Sequence, residues 1–548
     1  MKKKNRRNEP QAADRRKFIK TAALGAAALG LGALAGCDDD DHQSGAPCPD
    51  VVPDDVTVET GLSWDEEADI IVVGSGCGLA AALAAAVAGA KVLVLEKSEA
   101  TGGSTRMSGG VLWVPGNHVL KAEGQQDPRD QALAYVQQVA RGQADQELIE
   151  AFVDRGPEMA AFVENNSQFK WRSSIFLGDY HPEWEGSVAK GRSIEPDLEG
   201  PFMELGPQLI DAMADAAKAA GAEIRTQTPV VRIVTRLLDD GRQEVLGVEA
   251  LADGTAVRIR AAKAVVLAAG GYDWDLEMKK HFLRGTSTFT LGHAGNTGDG
   301  IRMAMAVGAD LRNMNECWGG IVFAEEAAMA AEENQPGNLK AMAQRRSPGC
   351  ITVNRHGQRF HNEAAPYDPS WAAFMGFENF GDLADRNLPA FHISDKKVKP
   401  SADIGVHEAD TLAELAQKLG IAPDGLEATV AQFNENALLG VDPSFHRGES
   451  DYDTMYGPTL APLDKPPYYG AQVAPADLGT CGGARVNGNA QVLTPTGEIL
   501  PRLYAAGNNS GIGGPGAGYG GGGGTIGPAF TFAHIAGTHA ADLEDHDA

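Results

Sequence analysis

Residues 69–78 read Asp69-Ile70-Ile71-Val72-Val73-Gly74-Ser75-Gly76-Cys77-Gly78, an apolar run that ends in three closely spaced glycines. An uninterrupted run of branched apolar residues is typical of a strand buried in a parallel sheet. Glycines directly after such a strand permit a tight turn, and they let the backbone approach a pyrophosphate at the N-terminus of the next helix. This stretch therefore predicts the first strand, turn and helix of a nucleotide-binding βαβ unit.

The residues that follow complete the predicted unit. An alanine-rich segment predicts the helix, and Lys91-Val92-Leu93-Val94-Leu95-Glu96 predicts the second strand. Glu96 ends that strand 22 residues after Gly74, where its carboxylate can bond ribose hydroxyls. The spacing departs from the usual motif, because Gly78 follows Gly74 by four residues and the third glycine usually follows by about five. We therefore expect a turn that is one residue shorter than usual.

Apolar runs far along the chain extend the same sheet. The run 264–269 ends in Gly270-Gly271, and two shorter runs lie near the C-terminus, at 491–493 and 503–506. The region between them contains helical stretches and loops. The sequence therefore predicts an α/β fold, in which a Rossmann-like domain of two segments is interrupted by an inserted α+β capping domain. The predicted bounds are 65–285 and 467–548 for the first domain and 286–466 for the capping domain.

Charge and cysteine content limit the possible partners. The 548 residues include 74 Asp and Glu against 47 Lys and Arg, which gives a formal net charge of -27 at pH 7. An acidic body repels nucleic acid, so we expect no nucleic-acid partner. The six cysteines show no pair spacing typical of a metal site and no haem-attachment motif, so we predict neither zinc nor covalent haem. The sequence does not decide whether a disulfide forms, because the pairing of cysteines cannot be deduced from their spacing.

The N-terminus has the features of an export signal. Asp14-Arg15-Arg16-Lys17-Phe18-Ile19-Lys20 resembles the twin-arginine motif, and a weakly apolar stretch follows it. Leu34-Ala35-Gly36-Cys37 resembles a lipoprotein cleavage box, which makes Cys37 the expected lipidated residue. We therefore expect a signal peptide at 1–36 and an acidic tether at 37–64. The mature protein is expected to be lipid-anchored on the periplasmic side of the cytoplasmic membrane.

Further glycine and hydroxyl segments accompany the nucleotide motif. They are Thr101-Gly102-Gly103-Ser104-Thr105, Ser108-Gly109-Gly110, Asn296-Thr297-Gly298-Asp299-Gly300-Ile301 and Leu503-Tyr504-Ala505-Ala506-Gly507-Asn508. Together with the βαβ unit they resemble the fumarate reductase/succinate dehydrogenase flavoprotein superfamily over about residues 65–541. The resemblance implies FAD as the cofactor, an FAD-binding domain interrupted by a capping domain, and catalysis between the two.

The motifs and the resemblance together imply a set of FAD contacts, in which Val231 contacts the adenine through its backbone. The predicted contacts are Gly74, Ser75, Gly76, Cys77, Gly78, Glu96, Lys97, Gly102, Gly103, Ser104, Ser108, Gly109, Val231, Gly270, Asp299, Gly507, Asn508, Thr525 and Ile526.

The most specific stretch is Tyr519-Gly520-Gly521-Gly522-Gly523-Gly524-Thr525-Ile526-Gly527-Pro528, which is followed by an apolar run. A glycine-rich segment that leads into a helix leaves backbone N–H groups unpaired at the positive end of the helix dipole. The stretch resembles the signature of 3-ketosteroid Δ1-dehydrogenases within this superfamily. That resemblance implies that the Tyr519 hydroxyl and the Gly523 amide bond the C3 ketone of a substrate and stabilise enolate-like charge.

Two further tyrosines match family positions. Gly178-Asp179-Tyr180-His181-Pro182-Glu183 and the segment from Gly357 to Tyr367 resemble segments that carry active-site tyrosines in these enzymes. The implied reaction removes the C2 proton with Tyr367, assisted by Tyr180, while flavin N5 takes a hydride from C1.

Other polar residues of these segments have plainer interpretations. Within the capping domain, Arg359 and Glu363 are expected to pair. The histidines His293, His361 and His534 are expected to be structural or solvated.

Three functional hypotheses follow. The first is an FAD-dependent dehydrogenase of 3-ketosteroids or similar hydrophobic cyclic ketones, which passes electrons to a quinone or another membrane acceptor. The second is a periplasmic enoate reductase of the fumarate or urocanate type, which runs the flavin chemistry in the opposite sense. The third is a flavin lipoprotein that only relays electrons, and the set of three tyrosines argues against it.

Overall fold

The structure is a computed structural model that describes residues 63–174, 178–285, 289–376, 386–512 and 514–546. The predicted signal peptide, Cys37 and all but the last two residues of the predicted tether lie outside the described residues. In the described part, two large mixed sheets and their helices form the predicted α/β fold. None of the helices in that part is both long and apolar enough to cross a membrane.

The first large sheet has eight strands and contains the predicted βαβ unit. Its central strand, Glu66–Val73, pairs in parallel with Val92–Leu95 on one side and with Thr255–Leu267 on the other. The strand Ile499–Ala505 pairs in parallel with Thr255–Leu267. Six strands follow one another across the sheet: Gln491–Leu493, Ile499–Ala505, Thr255–Leu267, Glu66–Val73, Val92–Leu95 and Glu223–Arg225. The other two, Val230–Leu237 and Gln243–Ala252, form a hairpin, and Gln243–Ala252 also pairs with Thr255–Leu267.

Helices pack against this sheet and explain why its central strand is apolar along its length. Ile70, Ile71 and Val72 are all 0% exposed, so both faces of the strand are buried. The helix Gly78–Val87 contacts the C-terminal helix Ile526–Ala541. The predictions for the first strand, its helix and the second strand are therefore confirmed within a few residues at each end.

The second large sheet supplies the cap over the first. Its strands are Phe289–Thr290, Cys317–Phe323, Cys350–Asn354, Ala390–Asp395, Val406–Ala409 and Tyr468–Thr480. The last of these pairs with four of the others and is the centre of the sheet. The predicted domain boundary at residue 466 therefore lies before a strand that pairs with the cap, and by strand pairing the cap extends to Thr480.

Two small sheets complete the strand pairing. One consists of Leu112–Trp113, Ser193–Pro196 and Trp171–Ser173, and the other pairs Leu311–Arg312 with Gly483–Ala484.

The remaining helices surround the sheets and connect their strands. The α-helices not yet given are Gly103–Arg106, His118–Ala122, Arg129–Ala140, Gln146–Asn166, Leu205–Ala219, Leu276–Phe282, Asp299–Ala306, Ala324–Glu332, Lys340–Gln344, Tyr367–Phe374, Leu412–Leu419, Pro423–Leu439 and Asp451–Thr454, with 3₁₀ turns at Phe202–Glu204 and Gly507–Ser510.

A buried arginine holds the three-stranded sheet in place. Arg192 is 0% exposed, and its guanidinium bonds both oxygens of Asp127 at 2.9 and 2.7 Å. It also forms an ion pair with Asp179. The Asp179 carboxylate accepts a further hydrogen bond from the Trp113 indole at 3.0 Å. Burial raises the pKa of Asp179 to about 6, an effect that the charge of Arg192 partly offsets. Because Asp179 precedes Tyr180 in the chain, this cluster fixes a predicted catalytic residue.

Replacing this arginine tests its contribution to stability. Arg192→Met leaves two buried carboxylates without a cation, so we expect the free energy of unfolding to fall by about 3–5 kcal/mol. The matched control is Arg129→Met, since Arg129 bonds Asp154 in the same bidentate manner but is 54% exposed, where solvent screens the pair and its loss should change stability little. Thermal unfolding followed by circular dichroism measures both, and equal losses in the two variants would contradict the argument.

Candidate active site

A cavity of about 930 Å³ runs from the glycine turn of the first sheet to the cap. One end, the nucleotide end, is lined by Gly74, Ser75, Gly76 and Glu96. The other end, the tyrosine end, is lined by residues including Tyr180, Tyr367 and Tyr519.

The glycine turn has no room for side chains. Gly74 has a positive φ of 98°, and a Cβ there would clash with the carbonyl of Ala268, just past the end of the neighbouring strand Thr255–Leu267. At Gly78, a Cβ would lie 2.8 Å from a Val72 methyl group and 3.1 Å from Ala268 Cβ. Gly78 therefore performs the helix-to-strand packing role of the third glycine, although it comes one residue early.

Glu96 is 7% exposed at the end of its strand, beside the turn. Its carboxylate accepts hydrogen bonds from the Ser75 amide at 3.0 Å, the Ser75 hydroxyl at 2.6 Å and the Ser98 amide at 2.9 Å. The Ser75 hydroxyl in turn accepts from the Gly102 amide at 2.9 Å. The strand end, the turn and the second glycine loop are thus joined around one carboxylate that also lines the cavity.

The predicted contacts on the cap side of the nucleotide end also come together. Lys97 Nζ lies 2.6 Å from an oxygen of Asp299, so these two charges pair with each other. The Asn296 side-chain amide donates to the Ser104 hydroxyl at 2.9 Å and to Asp273 at 2.6 Å. These bonds connect the loop after the second strand with the loop before the helix Asp299–Ala306.

Nearly every predicted site residue lines this cavity. Gly78 does not, because it faces the strand instead. Val231 does not either, and Pro229 and Val230 line the cavity at that point. The register of the strand Val230–Leu237 shifts between Val230 and Arg232, so Val231 lies in an irregularity of the pairing. A backbone contact between Val231 and adenine remains a prediction.

The cavity fits FAD at both of its helix termini. The helix Gly78–Val87 begins after Cys77 without a side-chain cap, so the positive end of its dipole is open to a pyrophosphate. The helix Ile526–Ala541 begins after Thr525, again without a side-chain cap. The electron-rich edge of a flavin ring suits that positive terminus. Burial raises the pKa of the Cys77 thiol to about 12, so this cysteine is a neutral wall residue.

Three predicted tyrosines meet at the other end. The rings of Tyr180 and Tyr519 stack with centroids 5.7 Å apart, and Tyr367 contacts them edge-on at 5.8 and 5.3 Å. They come from a loop beside the three-stranded sheet, from the start of a cap helix and from the C-terminal glycine segment. The structure thus brings together residues that are up to 339 positions apart in the sequence.

The glycine segment after Tyr519 is held by its carbonyl groups. The Gly520 carbonyl accepts from the Tyr180 amide and from the Tyr135 hydroxyl, both at 2.9 Å. The Gly522 carbonyl accepts from Ser193 Oγ at 2.7 Å. These bonds fix the backbone of the segment against the three-stranded sheet and beside Tyr180.

The predicted ketone donors lie next to each other. Gly523 has a positive φ of 89°. Hydrogen bonding with the Gly523 amide and with the Thr525 hydroxyl lowers the pKa of the Tyr519 hydroxyl. Burial raises the pKa of Tyr519 to about 12, and hydrogen bonding with Tyr367 partly offsets this effect. Burial also raises the pKa values of Tyr367 and Tyr180 well above the usual value. Three phenol side chains and a main-chain amide therefore converge at one end of the cavity.

Two of the three histidines singled out in the sequence are uncharged near pH 7. His361 and His534 are buried, and burial lowers the pKa of each to about 4, so both are neutral near pH 7. His293 lines the cavity, and its ring accepts from the Gly295 amide at 3.0 Å. Arg359 bonds both oxygens of Glu363 at 2.9 and 2.7 Å, as expected.

Several cavity residues were not found from the sequence. They come from segments without motifs, most of them in the cap, where only the folded chain shows which side chains face inward. They are Phe202, Met203, Trp318, Met342, Arg345, Arg346, Tyr452 and Tyr456. In the described part of the chain, no group of three or more His, Cys, Asp or Glu side chains is placed to hold a metal ion. The four cysteines described there, Cys77, Cys317, Cys350 and Cys481, are free thiols.

Comparison with known proteins agrees with this geometry. The model of the FAD binding domain family matches residues 69–525. The chain therefore belongs to this family of FAD-dependent oxidoreductases.

Relatives within the family narrow the comparison. The chain is 35% identical to a 3-oxosteroid 1-dehydrogenase of Mycobacterium tuberculosis, over 87% of this chain and 99% of that protein. It is 33% identical to a 4-oxocyclohexanecarboxylate 2-dehydrogenase of Sinomonas cyclohexanicum, over 86% and 92%. The crystal structure of 3-ketosteroid Δ1-dehydrogenase from Sterolibacterium denitrificans, in complex with 1,4-androstadiene-3,17-dione, superposes with a TM-score of 0.79. That superposition has 27% sequence identity and covers 87% of this chain and 99% of the other.

Proposed function

We propose that this protein dehydrogenates the 1,2-bond of a 3-ketosteroid or a similar cyclic ketone. The observation that carries the proposal is the convergence of Tyr519, the Gly523 amide and Tyr367 at the apolar end of a cavity that fits FAD. Relatives similar over most of the chain act on ring ketones by name, which supports the same bond and carbonyl here.

The chain's own residues divide the chemistry between them. Tyr519 and the Gly523 amide donate hydrogen bonds to the ketone oxygen, which stabilises enolate-like charge. Such charge makes the neighbouring C2–H bond more acidic, and Tyr367 removes that proton. Tyr180 stacks on Tyr519 and contacts Tyr367, so it positions both rings. Bound FAD supplies the acceptor for the hydride that leaves C1, and this completes a two-electron oxidation to the 1,4-dien-3-one.

The walls next to the tyrosines favour a ring ketone as the substrate. The tyrosine end is lined mainly by aromatic and sulfur-containing side chains, and the donors expected to face the ketone oxygen are a phenol and a main-chain amide. Such walls suit a hydrophobic ring system, because burying apolar surface of the substrate stabilises the complex by about 25 cal/mol for each Å² removed from water. A ring ketone offers one carbonyl oxygen to the two donors.

Anaerobic mixing tests the reaction. Purified holoenzyme mixed with a 4-ene-3-ketosteroid and a dye acceptor should bleach its flavin and form the 1,4-dien-3-one. Tyr367→Phe should lower kcat by about 10²–10⁴-fold and Tyr519→Phe by about 10²–10³-fold, because they remove the base and one ketone donor. Tyr469→Phe, outside the cavity, is the control and should match the wild type. If fumarate or an aryl-acrylate oxidises pre-reduced enzyme and the steroid does not react, the protein is an enoate reductase.

The raised pKa of the tyrosines predicts a pH dependence. A general base acts when deprotonated, so a pKa well above 10 means that its active fraction grows with pH across the whole neutral range. With a neutral steroid, kcat/KM should rise by about tenfold per pH unit from pH 7 towards pH 9 without a plateau. A stopped-flow pH profile measures this, and a plateau near pH 7 would show that another group is the base.

We propose further that the protein is exported and anchored, and that a quinone or another membrane acceptor reoxidises it. The support is the arginine pair Arg15-Arg16 and the box that ends in Cys37, both outside the described residues. Cys37→Ala should move the protein from the membrane fraction to the soluble periplasmic fraction, while Arg15→Lys combined with Arg16→Lys should keep it in the cytoplasm. Fractionation and immunoblotting decide this, and unchanged membrane association of Cys37→Ala would refute the lipid anchor.

A further inference from the structure

Two adjacent arginines line the tyrosine end of the cavity and have no role in the proposed reaction. Arg345 and Arg346 follow the short cap helix Lys340–Gln344. Neither forms an ion pair with a carboxylate among the residues that the structure describes. The nearby Glu363 is already paired with Arg359 and Arg447, at 2.7 and 3.0 Å.

Arg346 is joined to the catalytic tyrosines through one aromatic ring. Its guanidinium carbon lies 5.4 Å from the ring centroid of Tyr452 and 4.8 Å from that of Tyr456. The Tyr452 ring in turn contacts Tyr180, with centroids 4.8 Å apart. One nitrogen of Arg346 donates to the carbonyls of Tyr452 and Asp453, at 2.9 and 2.7 Å. These contacts fix the position of Arg346. The rings of Tyr452 and Tyr180 lie between it and Tyr519, the proposed donor to the substrate ketone.

Arg345 is buried deeper and is incompletely satisfied. It is 3% exposed, and its two terminal nitrogens donate to the carbonyls of Glu363 and Ala365. Its Nε atom is buried and has no hydrogen-bond partner among the described residues. Burial lowers the pKa of Arg345, because desolvation and the charges of Arg346 and Arg447 penalise the cation by more than Glu363 stabilises it. An anion at this end of the cavity would remove that penalty.

The charges that line the cavity are divided between its ends. Glu96, Lys97 and Asp299 lie at the nucleotide end, where Lys97 and Asp299 pair with each other. The tyrosine end has Arg345 and Arg346 and no lining carboxylate among the described residues. A protein with a net charge of -27 thus presents two cations where its substrate is expected to bind. The pyrophosphate of FAD cannot account for them, since its glycine turn lies at the opposite end.

We propose that the physiological substrate is a cyclic ketone that carries an anionic group, of the carboxylate class, remote from the carbonyl. Arg346 binds that group and Arg345 adds positive charge beside it, while Tyr519 and Gly523 bind the ketone oxygen, so the two ends of the substrate are fixed independently. A guanidinium group suits this purpose because it stays charged and carries five N–H donors, more than its two carbonyl partners use. The proposal rests on the ketone dehydrogenation proposed above and specifies its substrate class.

A matched pair of substrates tests the proposal. One is a 4-ene-3-ketosteroid whose side chain ends in a carboxylate, and the other is its methyl ester, which has the same ring ketone. With wild-type holoenzyme and a dye acceptor, we expect kcat/KM for the acid to exceed that for the ester by about tenfold or more. Arg346→Gln should lower the acid-to-ester ratio by about tenfold, and Arg346→Lys should restore part of it.

Controls separate charge, folding and function. Lys396→Gln removes one exposed positive charge from the cap and should leave the acid-to-ester ratio at the wild-type value. The FAD content and thermal midpoint of each variant show whether it has folded. If Arg346→Gln does not fold, titrating wild-type flavin absorbance with the two 1,4-dien-3-one products should give at least about tenfold tighter binding of the acid.

The outcomes are distinguishable. If the acid and the ester react equally and Arg346→Gln leaves their ratio unchanged, the arginines only support the chain's own carbonyls and the anionic-substrate proposal is overturned. The ketone dehydrogenation stands in that case, because both compounds are oxidised. If neither compound nor any neutral ring ketone is oxidised, the proposed function itself fails.

Discussion

The site depends on hydrogen bonds that fix the glycine segment 519–525 against the three-stranded sheet. Its carbonyls accept hydrogen bonds from Tyr180, Tyr135, Ser193 and the Trp113 amide, which all lie in or beside the three-stranded sheet. Buried carbonyls need such partners, because an unpaired one costs about 1–3 kcal/mol. Satisfying them from one side fixes the backbone, and the fixed backbone sets Tyr519, the Gly523 amide and the start of the last helix relative to one another.

Glycine is required in that segment for packing as well as for conformation. A Cβ at Gly520 or Gly521 would lie 2.6 or 2.5 Å from the indole of Trp113, so the segment lies flat on that ring. Trp113 is itself fixed by its hydrogen bond to Asp179, which the buried Arg192 neutralises. One chain of contacts thus runs from a buried ion pair, through an indole and a glycine backbone, to the donors of the active site. A change in the ion pair reaches the chemistry by that route.

The sequence predicts the parts of this site that depend on local pattern. The buried strand, the glycine turn and Glu96 follow from apolar runs and spacing, and Gly78 occupies the packing position despite its early placement. The strand Tyr468–Thr480 was missed because Gly470, Pro475 and Gly479 interrupt its pattern, yet it is the central strand of the cap sheet. Tertiary pairing outweighs intrinsic strand preference there.

The cap residues of the cavity could not be predicted for a related reason. Arg345, Arg346 and Tyr452 lie in connections whose inward direction is decided by the cap sheet rather than by neighbours in sequence. Arg359 was assigned correctly because its partner Glu363 is four residues away on the same segment.

In the proposed reaction, the high pKa of the tyrosines makes the two ketone donors necessary. A buried phenol with a raised pKa is rarely ionised near pH 7, but its ionised form is a stronger base than an exposed tyrosine. The hydrogen of a carbon next to a ketone is far less acidic than a phenol, so the transfer still needs the carbonyl to be polarised. In the proposed reaction Tyr519 and Gly523 supply that polarisation, in a buried site where hydrogen bonds act strongly. Burial thus lowers the fraction of the tyrosine that is ionised, but it raises the basicity of that ionised form and strengthens the hydrogen bonds of the two donors. This explains why the three groups share one apolar site.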